Sequence, residues 1–198
     1  ERPRHRPSGT AVLRGAKVFT MRGEEVIPNA DIVIKDNRIA AVGRRGAVAI
    51  PSGAKIFDYT GMTIMPGIVD VHAHWFESQR SVLDTQNWPL LANLAYGVTT
   101  GRDPQTGTND MLAYQDLVDT GEMLGPRAFS TGPGVFGTTD FQSLDDARNA
   151  VAKYKKNYRT NTLKSYVVGN RKQRQWMVEA CKEHGIMPTT EGGLDLKL

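Results

Sequence analysis

His72 and His74 lie one residue apart at the end of the run Pro66-Gly67-Ile68-Val69-Asp70-Val71-His72-Ala73-His74. The apolar residues behind a Pro-Gly turn read as a buried strand. On a strand, side chains two apart share a side. The two imidazoles can therefore converge on one point, as a metal ion requires, with Asp70 in phase. Imidazole suits zinc and its first-row neighbours. A bare His-x-His arises often by chance. At the C-terminal end of an apolar strand, with an in-phase aspartate, the pair reads as metal ligands rather than as histidines packed against loops.

Lys164 sits mid-strand in Thr162-Leu163-Lys164-Ser165. An unpaired ammonium is costly to bury. Either this is an edge lysine whose head reaches water or pairs with a carboxylate such as Glu191, or it is neutralised. Carboxylation by carbon dioxide is one route, giving a carbamate whose oxygens can bridge two metals. The residue pattern leaves these readings level. Glu191 follows Thr189-Thr190 before Gly192-Gly193 and can bind metal, pair with Lys164, or sit in solvent. Arg102 and Asp103 close a second strand on the same rim, where a structural ion pair is the stronger reading. Tyr166 and Arg102 are the candidate substrate-binding residues. His184 suits a helix C-terminus, and His5 lies in a tail. Cys181, the only cysteine, falls in a helical pattern as a small core residue, and no intrachain disulfide can form.

Strands and helices must position these groups. Residues 1–9, rich in Arg, Pro and Gly, read as a tail or linker. Residues 10–65 read as a small antiparallel, β-sandwich-like domain of short strands, with Asp36-Asn37 as a turn that tolerates positive φ. From residue 66 to 198, strands alternate with helices. Helices are predicted from Trp88 to Tyr96, from Asp110 to Thr120, from Ser143 to Tyr158 with Ser143 and Asp146 as a capping box, and from Arg171 to His184. Such alternation implies a parallel sheet. Neither GxGxxG nor GxxxxGK[ST] is present, which lowers nucleotide-binding readings. Chemistry at strand C-termini fits a (β/α)8 barrel. A barrel typically needs ~250 residues, and residues 66–198 hold about five βα strands. The expectation is an α/β fold: a partial, metal-dependent TIM barrel preceded by a small antiparallel β domain.

Composition narrows the partners. The 198 residues are 39% hydrophobic and 23% charged, ordinary globular material. A net charge of +4, without aromatics interleaved among the basic residues, argues against nucleic acid. No apolar run approaches the ~20 residues of a membrane helix, so no membrane partner is expected. The chain starts at Glu1 without a methionine or a signal-peptide pattern; a piece of a longer protein is one expectation, and the compartment is not legible.

At this point the residues resemble a known family. Residues 66–74 resemble the first-strand signature of the amidohydrolase superfamily, and the stretch from Ile56 to Gly67 resembles the lead-in from its small β domain. Leu94 to Pro104 resembles its second strand, and Gly125 to Gly132 its third. The likeness is strongest to imidazolonepropionase- and prolidase-like members, of the kind found after a β-propeller. It implies a distorted (β/α)8 barrel with one or two divalent metals, zinc foremost. His72 and His74 match the first-strand ligands, and Lys164 the fourth-strand lysine that many members carboxylate. Where the family has a fifth-strand histidine, Glu191 stands, which bears on the metal count. The family's general-base aspartate is expected beyond Leu198, so residues 1–198 alone are expected to turn over nothing at a useful rate.

The leading expectation is a hydrolase of C–N bonds in amides, cyclic amides or dipeptides. The alternatives are a one-metal deaminase of the same superfamily, against which Lys164 argues, and a non-catalytic barrel fragment. The expected partners are a small-molecule amide or peptide substrate, and either a second copy or the missing C-terminal half.

Overall fold

In a computed structural model, the described residues are 5–75, 87–104, 110–135, 140–165 and 169–189. Contacts divide the chain into Glu1–Gly67 and Ile68–Leu198.

In the first unit, Asp36 and Asn37 both take positive φ, 48° and 62°. That is the two-residue turn a tight hairpin demands. It joins β2 (Val26–Lys35) to β3 (Arg38–Arg44) antiparallel. β1 (Thr10–Phe19) pairs with the other edge of β2, also antiparallel. Its register slips between Arg14 and Ala16, where Gly15 sits at φ 81°. The bulge lets one strand continue through Arg14, Gly15 and Ala16. Buried Asp31 holds it, accepting the Gly15 N–H at 3.3 Å, with Arg14 Nε 3.9 Å away.

The antiparallel expectation holds for β1, β2 and β3 but not for the whole unit. β4 (Lys55–Asp58) and β5 (Thr63–Ile64) both run parallel to β1. The strand order is β3-β2-β1-β4, with β5 also on β1. The link from β3 to β4 is the cause: ten residues, 45–54, carry the chain past β2 and β1 to the far edge, where it arrives pointing the same way as β1. Among the described residues this unit is one sheet, with Ala16, Val18, Ala30 and Ile32 at its core.

The second unit alternates strand and helix as predicted. β6 (Ile68–Asp70), β7 (Val98–Asp103) and β8 (Arg127–Ser130) lie side by side, all parallel. β9 (Thr162–Lys164) and β10 (Met187–Thr189) form a second parallel pair. A parallel bridge from Val135 to Ser165 ties the pair to the segment that follows β8. Between the strands run α1 (Trp88–Ala95), α2 (Asp110–Thr120), α3 (Leu144–Asn157) and α4 (Arg171–His184).

The helix ends have local causes. Asn87 caps α1 by accepting from Leu90 N, and Ser143 caps α3 by accepting from Asp146 N. The Asp146 carboxylate does not complete the expected box; it takes the Gln142 N–H at 3.0 Å instead. The reciprocal box belongs to Asn170 and Gln173 at the start of α4, and Gly185 ends that helix in the left-handed region.

Two cores hold the layers. One gathers Ala73, Trp75, Leu90, Tyr114, Met123 and Ala128. Gly101 of β7 lies so close under the Trp75 ring that a Cβ there would overlap it. Gly101→Ala is expected to cost about 1–3 kcal/mol through forced repacking. A urea midpoint equal to that of the parent would contradict the packing described.

The other core joins Val135, Val151 and Tyr154 to Leu163, Met177 and Cys181. Burial pushes the Cys181 thiol up to about 11, so it is a packed residue and not a nucleophile. Over this core Arg148 of α3 donates to both carboxylate oxygens of Glu183 on α4 at 2.7 Å, and to Asp145 at 2.8 Å. The Arg148 hydrogen bonds hold the Glu183 carboxyl below its ordinary value. A lowered folded pKa stabilises above the unfolded value of about 4.3 and is lost as pH falls through the folded one. Thermal melts of Arg148→Ala should therefore differ from the parent near neutral pH and converge with it as pH falls below the ordinary glutamate range.

Candidate metal centre

β6 ends at Asp70, earlier than predicted. The Asp70 carboxylate accepts the His72 N–H at 2.9 Å, and this side-chain bond replaces the ladder. His72 and His74 thus lie just beyond the strand, not on it. The chain stays beside β7, because Ala73 N–H donates to the Arg102 carbonyl at 2.9 Å. Period-two alternation also survives: Ala73 and Trp75 are buried, while His72 and His74 are exposed.

The two imidazoles stay together. Their centroids are 5.2 Å apart with planes at 62°. Two imidazoles bound tetrahedrally at about 2.1 Å per metal–nitrogen bond place their centroids about 5 Å apart. The observed centroid separation is of that size. Asp70 acts here on the backbone that carries the rings.

Lys164 comes to the same place from 92 residues away. Its side chain is fully buried, and Nζ is 3.5 Å from His72 Nε2. The reading of an edge lysine with its head in water is thereby overturned. β9 is an interior strand at this point: the Lys164 carbonyl accepts from Val135 N at 2.8 Å, and Lys164 pairs with Thr189 on the other side. Inside, the amine serves as a metal-site group only when neutral or carboxylated.

The remaining candidates do not join this cluster. Glu191 and Tyr166 lie outside the described residues. Arg102 aligns with Phe129 of β8 on the face opposite Gly101, and it lines a separate cavity of about 400 Å³ with Asp70, Thr100, Ser130 and Arg159. His72, His74 and Lys164 are not in that lining. Asp103 is buried, and its carbonyl accepts from Thr131 N. His184 occupies the last turn of α4. Among the described residues no group of three or more His, Cys, Asp or Glu side chains is arranged to hold a metal ion, so the described candidate donors are two imidazoles and a lysine. Sequence reasoning missed the loop from Ser130 to Val135, which has no reactive side chain but carries the bond to Lys164.

No family model matches the chain. Curated relatives do. The chain is 38% identical over 76 residues to imidazolonepropionase of Anaeromyxobacter dehalogenans, covering 35% of this chain and 18% of that protein. It is 31% identical over 99 residues to mitochondrial allantoinase of Aquarana catesbeiana, covering 48% and 20%. It is 32% identical over 63 residues to adenine deaminase of Paracoccus denitrificans, covering 32% and 11%. Among solved structures, one from Bifidobacterium longum provisionally assigned as a prolidase superposes with a TM-score of 0.72 at 23% identity, over 91% of this chain and 49% of that one. Molinate hydrolase superposes at 0.73 and 15%, over 92% and 53%. At these identities the structural likeness is one of fold. The chain spans about half the length of the solved structures it matches, and its matched segments span a fifth or less of the curated relatives.

Proposed function

Taking as premise the likeness to the amidohydrolase superfamily in N-terminal sequence and in fold, we propose that this chain is the N-terminal part of a metal-dependent hydrolase of C–N bonds. In this reading the second unit is the first part of a (β/α)8 barrel, and its strand C-termini form one side of the active site. The observation that carries it is the convergence of His72, His74 and buried Lys164.

His72 and His74 would hold one divalent ion, zinc by the chemistry of its donors. Such an ion supplies Lewis acidity, polarising a carbonyl and making water nucleophilic near neutral pH. Asp70 fixes the backbone of His72, so that its ring arrives already oriented. Lys164, beside His72, would be the next group to such an ion, and a carbamate on it would add two oxygen donors and allow a second metal. Glu191 completes that set in the proposal. The carboxylate that moves protons, and most of the substrate pocket, would come from the rest of the protein. Tyr166 and Arg102 remain proposed substrate contacts. For Arg102 that requires the substrate to reach past Asp70 into the adjoining cavity. Amides, cyclic amides and dipeptides are the proposed substrate class, in keeping with relatives named imidazolonepropionase, allantoinase and prolidase.

The deaminase reading draws on the match to adenine deaminase. Buried Lys164 beside His72 favours the amide hydrolase over it. The test is elemental analysis of the full-length protein purified without chelator, followed by assay against cyclic amides, N-acyl amino acids, dipeptides and adenine. About one or two zinc ions per chain and amide cleavage are expected. Ammonia release from adenine alone would establish the deaminase. A protein that retains no zinc and cleaves nothing would leave the non-catalytic fragment.

A further inference from the structure

We infer that Tyr154 is a positioning residue for Lys164, acting through the loop that ties the two parallel sheets together. The loop runs from Ser130 at the end of β8 to Val135. Tyr154 lies on α3, buried in the same core as Val135 and Leu163. Its hydroxyl donates to the Pro133 carbonyl at 2.5 Å. Two residues on, Val135 N–H donates to the Lys164 carbonyl at 2.8 Å, and Val135 bridges to Ser165. Lys164 in turn presents Nζ to His72. One phenol thus fixes the piece of chain from which the lysine strand hangs.

The loop is built for this contact. The Ser130 hydroxyl accepts the Gly132 N–H at 2.8 Å, and Gly132 takes φ 72°. A Cβ at Gly132 would press on the Tyr154 and Tyr158 rings at 3.1–3.3 Å. Glycine therefore meets a left-handed turn and a close ring approach at once. Burial pushes the Tyr154 hydroxyl up to about 12, which keeps it a donor across the working pH range. Tyr158 flanks the same glycine and makes no hydrogen bond through its hydroxyl among the described residues, so it is the natural control.

Tyr154→Phe removes one hydrogen bond and leaves the ring. Two readouts need no metal: exchange of the Val135 amide by NMR, and reductive methylation of Lys164 followed by peptide mass spectrometry. In full-length protein, Tyr154→Phe should speed Val135 exchange and Lys164 labelling about tenfold, the effect of a bond worth about 1.4 kcal/mol. Val151 exchange and Lys153 labelling should not change, and Tyr158→Phe should match the parent throughout. Unchanged Val135 exchange, unchanged Lys164 labelling, or an equal effect from Tyr158→Phe would overturn the inference.

A third readout rests on the proposed metal site: zinc affinity by chelator competition should fall several-fold in Tyr154→Phe. If the parent binds zinc and the variant binds it equally well, the positioning role is overturned. If the parent binds none, the metal proposal fails on its own, and the two metal-free readouts decide the role of Tyr154.

Discussion

Replacing His72 and His74 together with alanine is expected to abolish zinc binding by the full-length protein and, with it, hydrolysis. The rings stand 5.2 Å apart and supply the two imidazole donors of the candidate site. Loss of a partner that only orients a ligand commonly costs 10–100-fold in metal affinity, so loss of two ligands should exceed about 100-fold. Both side chains are exposed and neither belongs to the Ala73–Trp75 core, so the fold should survive. The measurement is zinc stoichiometry together with a thermal melt of metal-free protein. A double variant that still holds a full complement of zinc would show the ion sits elsewhere. One that binds none but also melts far below the metal-free parent would show the pair to be structural.

Single substitutions separate the two rings. His72 has its amide held by Asp70 and its ring beside Lys164. Asp70→Asn keeps an oxygen acceptor and should retain zinc better than Asp70→Ala. Equal loss from both would assign the carboxylate charge itself to the site.

Local signals made the helices legible. Ser143, Gly121 and Gly185 each mark an end through contacts within a few residues, and the predicted helix spans match the observed ones within a residue or so. The box at Asn170 follows the same local rule, from Asn170 and Gln173 three apart. The parallel placement of β4 was not legible, since pairing is decided by where a ten-residue link ends and not by the strand residues themselves. The early end of β6 had a signal in Asp70, whose short carboxylate competes for the backbone two residues on.

At the site, the His72–His74 pair was legible because period two needs no partner. Lys164 was legible as an oddity, a charge in an apolar strand, but its burial was not, because it depends on Val135 and Thr189 flanking the strand. Arg102 shows the limit of rim arguments. Neighbouring residues on a strand face opposite ways, and the register with Phe129 decides which cavity it serves. Nothing local links Tyr154 to Pro133, 21 residues apart in a helix and a loop.

Lys164→Met is expected to separate stability from function. Methionine matches the lysine stem in length and lacks the amine. Volume-conserving exchanges in a core usually cost less than about 1.5 kcal/mol. The substitution should therefore leave the melting temperature of metal-free protein close to that of the parent, while it removes any carbamate. Lys164→Ala is the contrast: it should destabilise by about 2–5 kcal/mol through the cavity left where the buried side chain reaches towards His72. If Lys164→Met instead destabilises as much as alanine does, the amine is itself a structural partner in the folded core. A Lys164→Met protein that folds as the parent does but loses activity places the role of the lysine in chemistry. The intact mass in bicarbonate then names that chemistry. A gain of one carbon dioxide in the parent that is absent from Lys164→Met assigns the carbamate. Full zinc content without that gain assigns a neutral amine beside a single ion.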